Sequence, residues 1–432
     1  MNRLAQLAQD GLILLLPTFV LLAGAAVEFK TGQRGSSFPT ALIVAAAVAP
    51  FACGFILRLA RPGTDLLLLA ACGMLTSISS SSLLQLAQLP GDTQPFFQTV
   101  LVRQLAFVVA SFVVLGVAAC LSARAALVRR YPYLTAAAAL ALIGSTMVAG
   151  TEVNGAKLWI VIGSLRVQPA ELARLLLAAF IAGYLYDRRH LLGTSWRLGR
   201  LELPPLPYLV PVGGALALAL AALAVQNDLG MAALTALAAF ALIAGSLRSR
   251  WSVMAMGAIV AAAIWMAPNL SPRVQVRVDN WLDPWRAPLG AGYQFIQGEY
   301  ALALGGIGGG RVSPDVRSVP EVQTDFVLTA IGAQFGVLVS AALLALLAIV
   351  VLRCAQNALV ARTELEKRIG LALTILLGLQ ILLIVGGVLR ILPLTGLTVP
   401  FVSYGGTSML VTGLSVGIIL GLGGHGSRNL SM

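Results

Sequence analysis

DFVLTAIGAQFGVLVSAALLALLAIVVL, residues 325–352, opens on a carboxylate, Asp325, and then runs to Leu352 without another charged side chain. An apolar stretch of at least roughly 18 residues is long enough to cross a bilayer core as helix. Similar runs, bounded by charge, Gly and Pro, recur on both sides of it. They place helices near 11–28, 40–59, 64–84, 99–120, 133–152, 168–186, 205–224, 229–247, 251–267, 369–389 and 408–424. The 432 residues are 58% hydrophobic and only 11% charged, with a mean hydropathy of +0.90. A soluble chain of this size would need far more charge to cover its surface. The expected fold is therefore an all-α polytopic integral membrane protein with about twelve transmembrane helices.

The net charge of +12 does not point to nucleic acid. Lys and Arg stand singly or in pairs between apolar runs and build no basic face with interleaved aromatics. With the N-terminus inside, one side carries 17 Lys and Arg against 6 acids (+11), and the other 12 against 11 (+1). That asymmetry is the positive-inside pattern. It puts His190 and His425 on the cytoplasmic side and the longest polar stretch, 268–324, outside. A polar segment of that length in a compact membrane protein is usually functional. No GxxxxGK[ST] pattern suggests ATP hydrolysis. Cys53, Cys72, Cys120 and Cys354 show no metal-ligand spacing and read as small buried hydrophobes. The first run faintly resembles a signal peptide, but Asp10 before it and the many later spans favour an uncleaved first helix.

Five polar clusters fall on the outer side. They are Asn154-Gly155-Ala156-Lys157-Leu158-Trp159 with Gln168-Pro169-Ala170-Glu171 and Arg174; Gln226-Asn227-Asp228-Leu229-Gly230; and Trp281-Leu282-Asp283-Pro284-Trp285 running on to Gly292-Tyr293-Gln294. Pro320-Glu321-Val322-Gln323-Thr324-Asp325-Phe326 and Pro400-Phe401-Val402-Ser403-Tyr404-Gly405-Gly406-Thr407-Ser408 complete the set. Singly, each has a plain structural reading. Gln-Pro-Ala-Glu and Thr-Asp resemble helix starts, Lys157 and Arg174 interfacial anchors, and the run Gly305–Gly310 a flexible loop rather than a phosphate cradle.

In combination the clusters resemble the SEDS family of cell-wall polymerases, the FtsW, RodA and SpoVE proteins. The family pattern is NGA-x-x-W, QPSE-x-x-K, QPDLG, DP-x-x-DPLG-x-GYQ, LPE-x-x-TDF and PF-x-SYGG, and order and spacing match from about Asp65 onward. The resemblance implies a SEDS-type ten-helix core over 63–432, with 268–324 as its large extracytoplasmic loop. Residues 1–62 then form an additional N-terminal transmembrane helix pair, which leans towards RodA-type members. The chain departs from the pattern at Ala170, Asn227, Ala287, Ala333 and Gln334. The last two replace family carboxylates, so no role passes to them.

Members of the family polymerise lipid II on the outer face of the bacterial cytoplasmic membrane, a displacement at a sugar carbon linked to undecaprenyl pyrophosphate. Such a reaction needs a base for the attacking hydroxyl and cations for the departing charge. With both histidines inside, the base must be a carboxylate, and the resemblance puts the essential one at Asp325. Lys157, Arg174 and Arg277, with Arg311 behind them, are the candidate pyrophosphate cations. Glu171, Asp228, Gln294, Glu321, Ser403 and Tyr404 complete the substrate-binding set. A divalent cation, Mg or Mn, could share the pyrophosphate; no organic cofactor is expected. The implied partners are lipid II, undecaprenyl pyrophosphate, membrane lipid and a class B penicillin-binding protein, with no nucleic acid. The competing reading is a lipid II flippase or another transporter. Acids gathered at outer helix ends rather than at the bilayer midplane weigh against it.

Overall fold

The computed structural model describes residues 3–31, 39–89, 92–122, 130–153, 155–163, 165–192, 196–198, 201–203, 206–247, 250–310 and 314–426. Asn154 and Arg311 lie outside the described residues, as does the side chain of His425. The longer helices are α1 (Arg3–Thr31), α2 (Thr40–Ala60), α3 (Leu66–Gln88), α4 (Gln94–Leu121), α5 (Pro132–Ala149), α6 (Pro169–Asp187) and α7 (Leu206–Val225). After them come α8 (Leu229–Ala244), α9 (Arg250–Leu270), α10 (Pro272–Leu282), α11 (Tyr293–Gly305), α12 (Val327–Leu359), α13 (Glu364–Val388) and α14 (Gly406–Gly426). Ten of the described helices are long and apolar enough to cross a membrane. The expected twelve also counts two shorter apolar helices, Gly11–Ala26 within α1 and Leu229–Ala244. The chain is a multi-pass membrane protein.

Local chemistry starts several of these helices. Asp65 caps α3 by accepting from the Leu68 N–H (3.2 Å), and Asp228 caps α8 through Met231 (3.1 Å). Thr363 and Glu366 form a reciprocal capping box on α13. Pro95, Pro132 and Pro169 occupy first turns, where a missing N–H costs nothing. Asp65 does more than cap. Its other oxygen accepts from Arg353 Nε (2.8 Å) and Asn357 Nδ2 (2.7 Å), latching α3 to α12 at the end opposite the motif clusters.

Three features differ from the sequence reading. The connection between α5 and α6 is not plain loop. β1 (Thr151–Val153), β2 (Ala156–Ile162) and β3 (Leu165–Val167) form an antiparallel three-stranded sheet. The β-branched and aromatic run from Trp159 to Ile162 suits a pleated surface. The 268–324 segment is also substantially helical, because α9 continues to Leu270 and α10 and α11 follow.

The third difference is a break in the helix that begins after Asp325. At Gly336 the backbone leaves helical geometry, with φ 80° and ψ −178°, a region open essentially to glycine alone. The glycine run explains how the break is tolerated. The Val337 N–H donates to Gly306 O (3.0 Å), Leu338 to Ile307 O (3.3 Å), and Gly310 to Ala333 O (3.3 Å). Backbone groups freed by the kink are thus satisfied inside the protein, the condition for irregular backbone at membrane depth. The approach is so close that a Cβ on Gly305 would overlap the Gly332 carbonyl. The run is thus a braced loop rather than a flexible one. Gly336→Ala is expected to lower stability by about 1–3 kcal/mol, read as a drop in melting temperature in detergent. Gly144→Ala on α5, where an added Cβ meets nothing within 4 Å, should leave stability unchanged or slightly raised.

Candidate active site

The motif clusters converge at one end of the bundle, and the segment 320–326 is the piece the others hold. Thr324 and Phe326 N–H groups both donate to Glu321 O (3.0 and 3.2 Å), closing a turn in which Glu321 adopts φ 54°. The Glu321 carboxylate accepts from Thr324 Oγ1 (3.0 Å) and Gln323 Nε2 (3.2 Å). Gln294 Nε2, on α11, fastens the turn at Pro320 O (3.0 Å). From the other side, the Tyr404 N–H donates to Gln323 O (2.8 Å) and Ser403 Oγ to Thr324 O (2.7 Å). Ser403 is buried and also accepts from the Val399 N–H (2.8 Å). Its hydroxyl is therefore spent on positioning the chain beside Asp325.

Asp325 itself caps nothing. The N-cap position of α12 is Phe326, and among the described residues no side-chain cap bond forms there. The half-buried carboxyl faces Gly396 instead. Gly396 has φ 71°, and a Cβ there would lie 3.5 Å from Asp325 Oδ2 and 3.6 Å from Arg277 Nη2. A bare glycine backbone thus leaves room between an acid and a cation. Arg277 is aimed by its own bond, Nη1 to Thr395 O (3.0 Å). The helix that carries it, α10, is pinned at both ends. Arg273 Nη2 donates to Gly155 O (3.0 Å), which also accepts from Asn227 Nδ2 (3.4 Å). At the far end Trp281 Nε1 donates to Arg390 O (2.9 Å), and Arg390 Nη2 returns a bond to Trp281 O (3.2 Å). Arg390 Nη1 completes the clasp on Glu299 of α11 (2.6 Å).

The electrostatics follow from this enclosure. Loss of water and then the Glu321 charge push the Asp325 carboxyl up to about 7, while Arg277 and the Thr324 hydroxyl pull the other way. Burial likewise raises Asp228, against its bond from Met231 and the charge of Arg277. Arg277 is lowered by burial and supported by Asp325 and Asp228.

Other residues of the expected set stand differently. Asp228 Oδ2 accepts from Gln168 Nε2 (3.2 Å), and the Gln168 N–H donates to Thr407 Oγ1 (3.0 Å), joining three motifs. Glu171 and Arg174 are both buried and paired at 2.5 Å within α6. Arg174 Nη1 also touches Met231 Sδ at 3.9 Å, and its Nε has no hydrogen-bond partner among the described residues. In this conformation each answers the other's charge inside the bundle. Lys157 is exposed on β2, beside Glu152 in register. Sequence reasoning left Gln168, Thr395, Gly396, Glu299 and Arg390 out of the site. Of these, Gln168 alone carried a signal, as part of the Gln-Pro-Ala-Glu motif.

A family model described as "Cell cycle protein", FtsW/RodA/SpoVE, matches residues 63–427. The peptidoglycan glycosyltransferase RodA of Mycobacterium tuberculosis (strain ATCC 25618 / H37Rv) is 34% identical over 307 residues, covering 69% of this chain and 65% of that protein. The probable peptidoglycan glycosyltransferase FtsW of Tolumonas auensis is 34% identical over 293 residues, covering 65% and 72%. The matched region thus spans just under two thirds of the mycobacterial relative's length. Among solved structures, a chain of a peptidoglycan synthase complex that coordinates polymerization and crosslinking superposes with a TM-score of 0.66 at 26% identity, over 83% of this chain and 97% of that one. The crystal structure of Thermus thermophilus rod shape determining protein RodA, at 22% identity and TM-score 0.57 over 83% and 96%, has the same fold. With more than half its length matched by the family model, and with the motifs gathered at one end of the bundle, the chain belongs to the FtsW/RodA/SpoVE family.

Proposed function

We propose that this chain is a peptidoglycan glycosyltransferase that polymerises lipid II on the outer face of the cytoplasmic membrane during cell elongation or division. The observation that carries the reading is Asp325 and Arg277 facing one another across Gly396. Asp325 takes the proton from an acceptor sugar hydroxyl as that oxygen bonds to the anomeric carbon of a second lipid-linked sugar. The bond from that carbon to pyrophosphate breaks, and its electron pair leaves on undecaprenyl pyrophosphate. Arg277 meets the departing charge, with exposed Lys157 as a second cation. Held near 7, Asp325 is ionised enough to accept a proton and basic enough to keep it.

Among the described residues no three His, Cys, Asp or Glu side chains gather to hold a metal. A Mg or Mn ion taking part in the reaction would be held on the protein side by the Glu321 carboxylate. It would add positive charge at the leaving group. The additional pair α1–α2 packs on α3 and α4 as an accessory to the catalytic core, and the partner is a crosslinking transpeptidase of the class B penicillin-binding type.

Incubating the purified chain with lipid II, with and without such a transpeptidase, tests the reading. Glycan strands on a gel are expected. Movement of lipid II across vesicles with no polymer would make the chain a flippase instead. Orientation is checked separately. Single cysteines placed in 268–310 should react with an impermeant thiol reagent from outside, and those in 360–363 from the cytoplasm. The reverse pattern would put the site on the wrong face for this substrate.

A further inference from the structure

No residue of α10, the helix that carries Arg277, is fully buried. Apolar packing therefore does not fix its position, and its polar ties have to. Arg277 and Trp281 stand four residues apart and so share one face of that helix. Both donate to carbonyls of one short strap, Arg277 Nη1 to Thr395 O (3.0 Å) and Trp281 Nε1 to Arg390 O (2.9 Å). The same strap carries Gly396, the residue between Arg277 and Asp325. Whatever locates the strap locates the cation relative to the acid.

Arg390 begins that strap at the end of α13 and closes it onto two other helices. Its Nη1 donates to Glu299 Oε1 on α11 (2.6 Å) and its Nη2 to Trp281 O on α10 (3.2 Å). The backbone of Arg390 adopts φ 56°, left-handed geometry that glycine takes up readily. Among the described residues the other non-glycine positions with positive φ are Asn227, Glu321 and Phe401. Each of those three belongs to a motif cluster, and Arg390 belongs to none. Strained backbone of this kind concentrates at functional sites, and here it is kept for the sake of a long side chain. Stability is a poor account of what that side chain does. Arg390 and Glu299 are both partly exposed (28% and 39%), and ion pairs in such settings contribute little.

We propose that Arg390 is a positioning residue for the transfer reaction, clasping Glu299 and Trp281 so that Arg277 stays opposite Asp325, and touching no substrate itself. The assignment rests on the reaction proposed above, in which Arg277 meets the leaving charge. The groups that act on Asp325, besides burial, are Glu321 and Thr324 of its own turn and Arg277 of α10. Those that act on Arg277 are Asp325, Asp228 and Arg273. Arg390 and Glu299 stand in neither set. An effect of either one on the Asp325 proton must therefore pass through the position of Arg277.

The test uses the full chain in detergent, with Arg390→Gly, which relieves the backbone strain, and Glu299→Ala, which removes the partner. Each is compared with wild type only where the melting temperature matches, and Glu299→Ala carries the test if Arg390→Gly unfolds. The first readout is an infrared pH titration of the Asp325 carboxyl, its band identified by loss in Asp325→Asn. The midpoint should lie near 7 in wild type and about one pH unit higher in Arg390→Gly, the lower end of what an adjacent opposite charge is worth. Glu299→Ala should move it the same way. Arg390→Lys, which keeps the charge and has donors for both acceptors, should return most of the shift. The second readout is the polymerisation rate, which should fall about ten- to a hundredfold in Arg390→Gly, as for a slightly misplaced catalytic group. Added to Arg277→Gln, the same change should cost nothing further, because both remove one interaction. An unmoved midpoint in the folded variant, or a fully additive loss in the double variant, would make the clasp a purely structural tie and overturn the proposal. If wild type forms no glycan strands, the polymerase reading falls, and the infrared midpoint still decides the clasp.

Discussion

Asp325→Asn lowers the rate of lipid II polymerisation by roughly a hundred- to ten-thousand-fold, the usual contribution of a positioned base, while the protein still folds. Asparagine keeps the size of the side chain but cannot take the acceptor's proton. The folding half of the expectation has its own sign. Burial raises Asp325 to about 7, so the folded state binds the proton more tightly than the unfolded chain. Stability is therefore fullest below the ordinary carboxylate range and declines as pH rises towards 7. Removing the ionisable group should leave the melting temperature at pH 8 equal to wild type or higher. Asp283→Asn is the contrast. Asp283 accepts from the Trp285 N–H (3.2 Å) and pairs with exposed Arg286 (3.3 Å), which are loop-shaping contacts, and its loss should be mild. Had Asp325 been a helix cap, asparagine would have served nearly as well. A folded Asp325→Asn enzyme with near wild-type activity would remove the base assignment.

Arg277→Gln should cost about a hundred- to a thousand-fold in rate, the range for removing one group that stabilises developing negative charge. It should also move the pH dependence. Arg277 pulls Asp325 down against burial and Glu321, so without it the carboxyl keeps its proton to higher pH and the acid limb shifts alkaline. A variant damaged only in folding would lose rate at every pH and leave the limb where it was.

Much of this arrangement was legible in the residues. Apolar run length and the placement of Lys and Arg gave the helices, because those signals are local. Gln-Pro-Ala-Glu likewise announced the start of α6. The break at Gly336 was hidden, since Ala333-Gln334-Phe335-Gly336-Val337 reads as continuous helix and only the distant backbone of 306–310 supports the kink. The strands of 151–167 were hidden for a related reason, their pairing being set by turns at Gly155 and Gly163 rather than by hydropathy. Within the site, Asp325 and Arg277 stood out as charges, and Ser403 as part of a motif. Its task, holding Thr324 O across 79 positions of sequence, could be read only from the fold. Glu171 and Arg174 carried the right charges and proved to be paired with each other, because burial forces opposite charges together. Gly396 was invisible as a site residue because what it contributes is the absence of a side chain.

The most direct test is the initial rate of lipid II polymerisation by the purified chain between about pH 5.5 and 9, measured beside Asp325→Asn. A single ionisation should govern the acid side, with the rate rising about tenfold per pH unit below a midpoint near 7 and level above it. The limb should be absent from whatever residual activity Asp325→Asn retains. A flat profile across that range, or an acid limb that persists unchanged in Asp325→Asn, would contradict the assignment of Asp325 as the base.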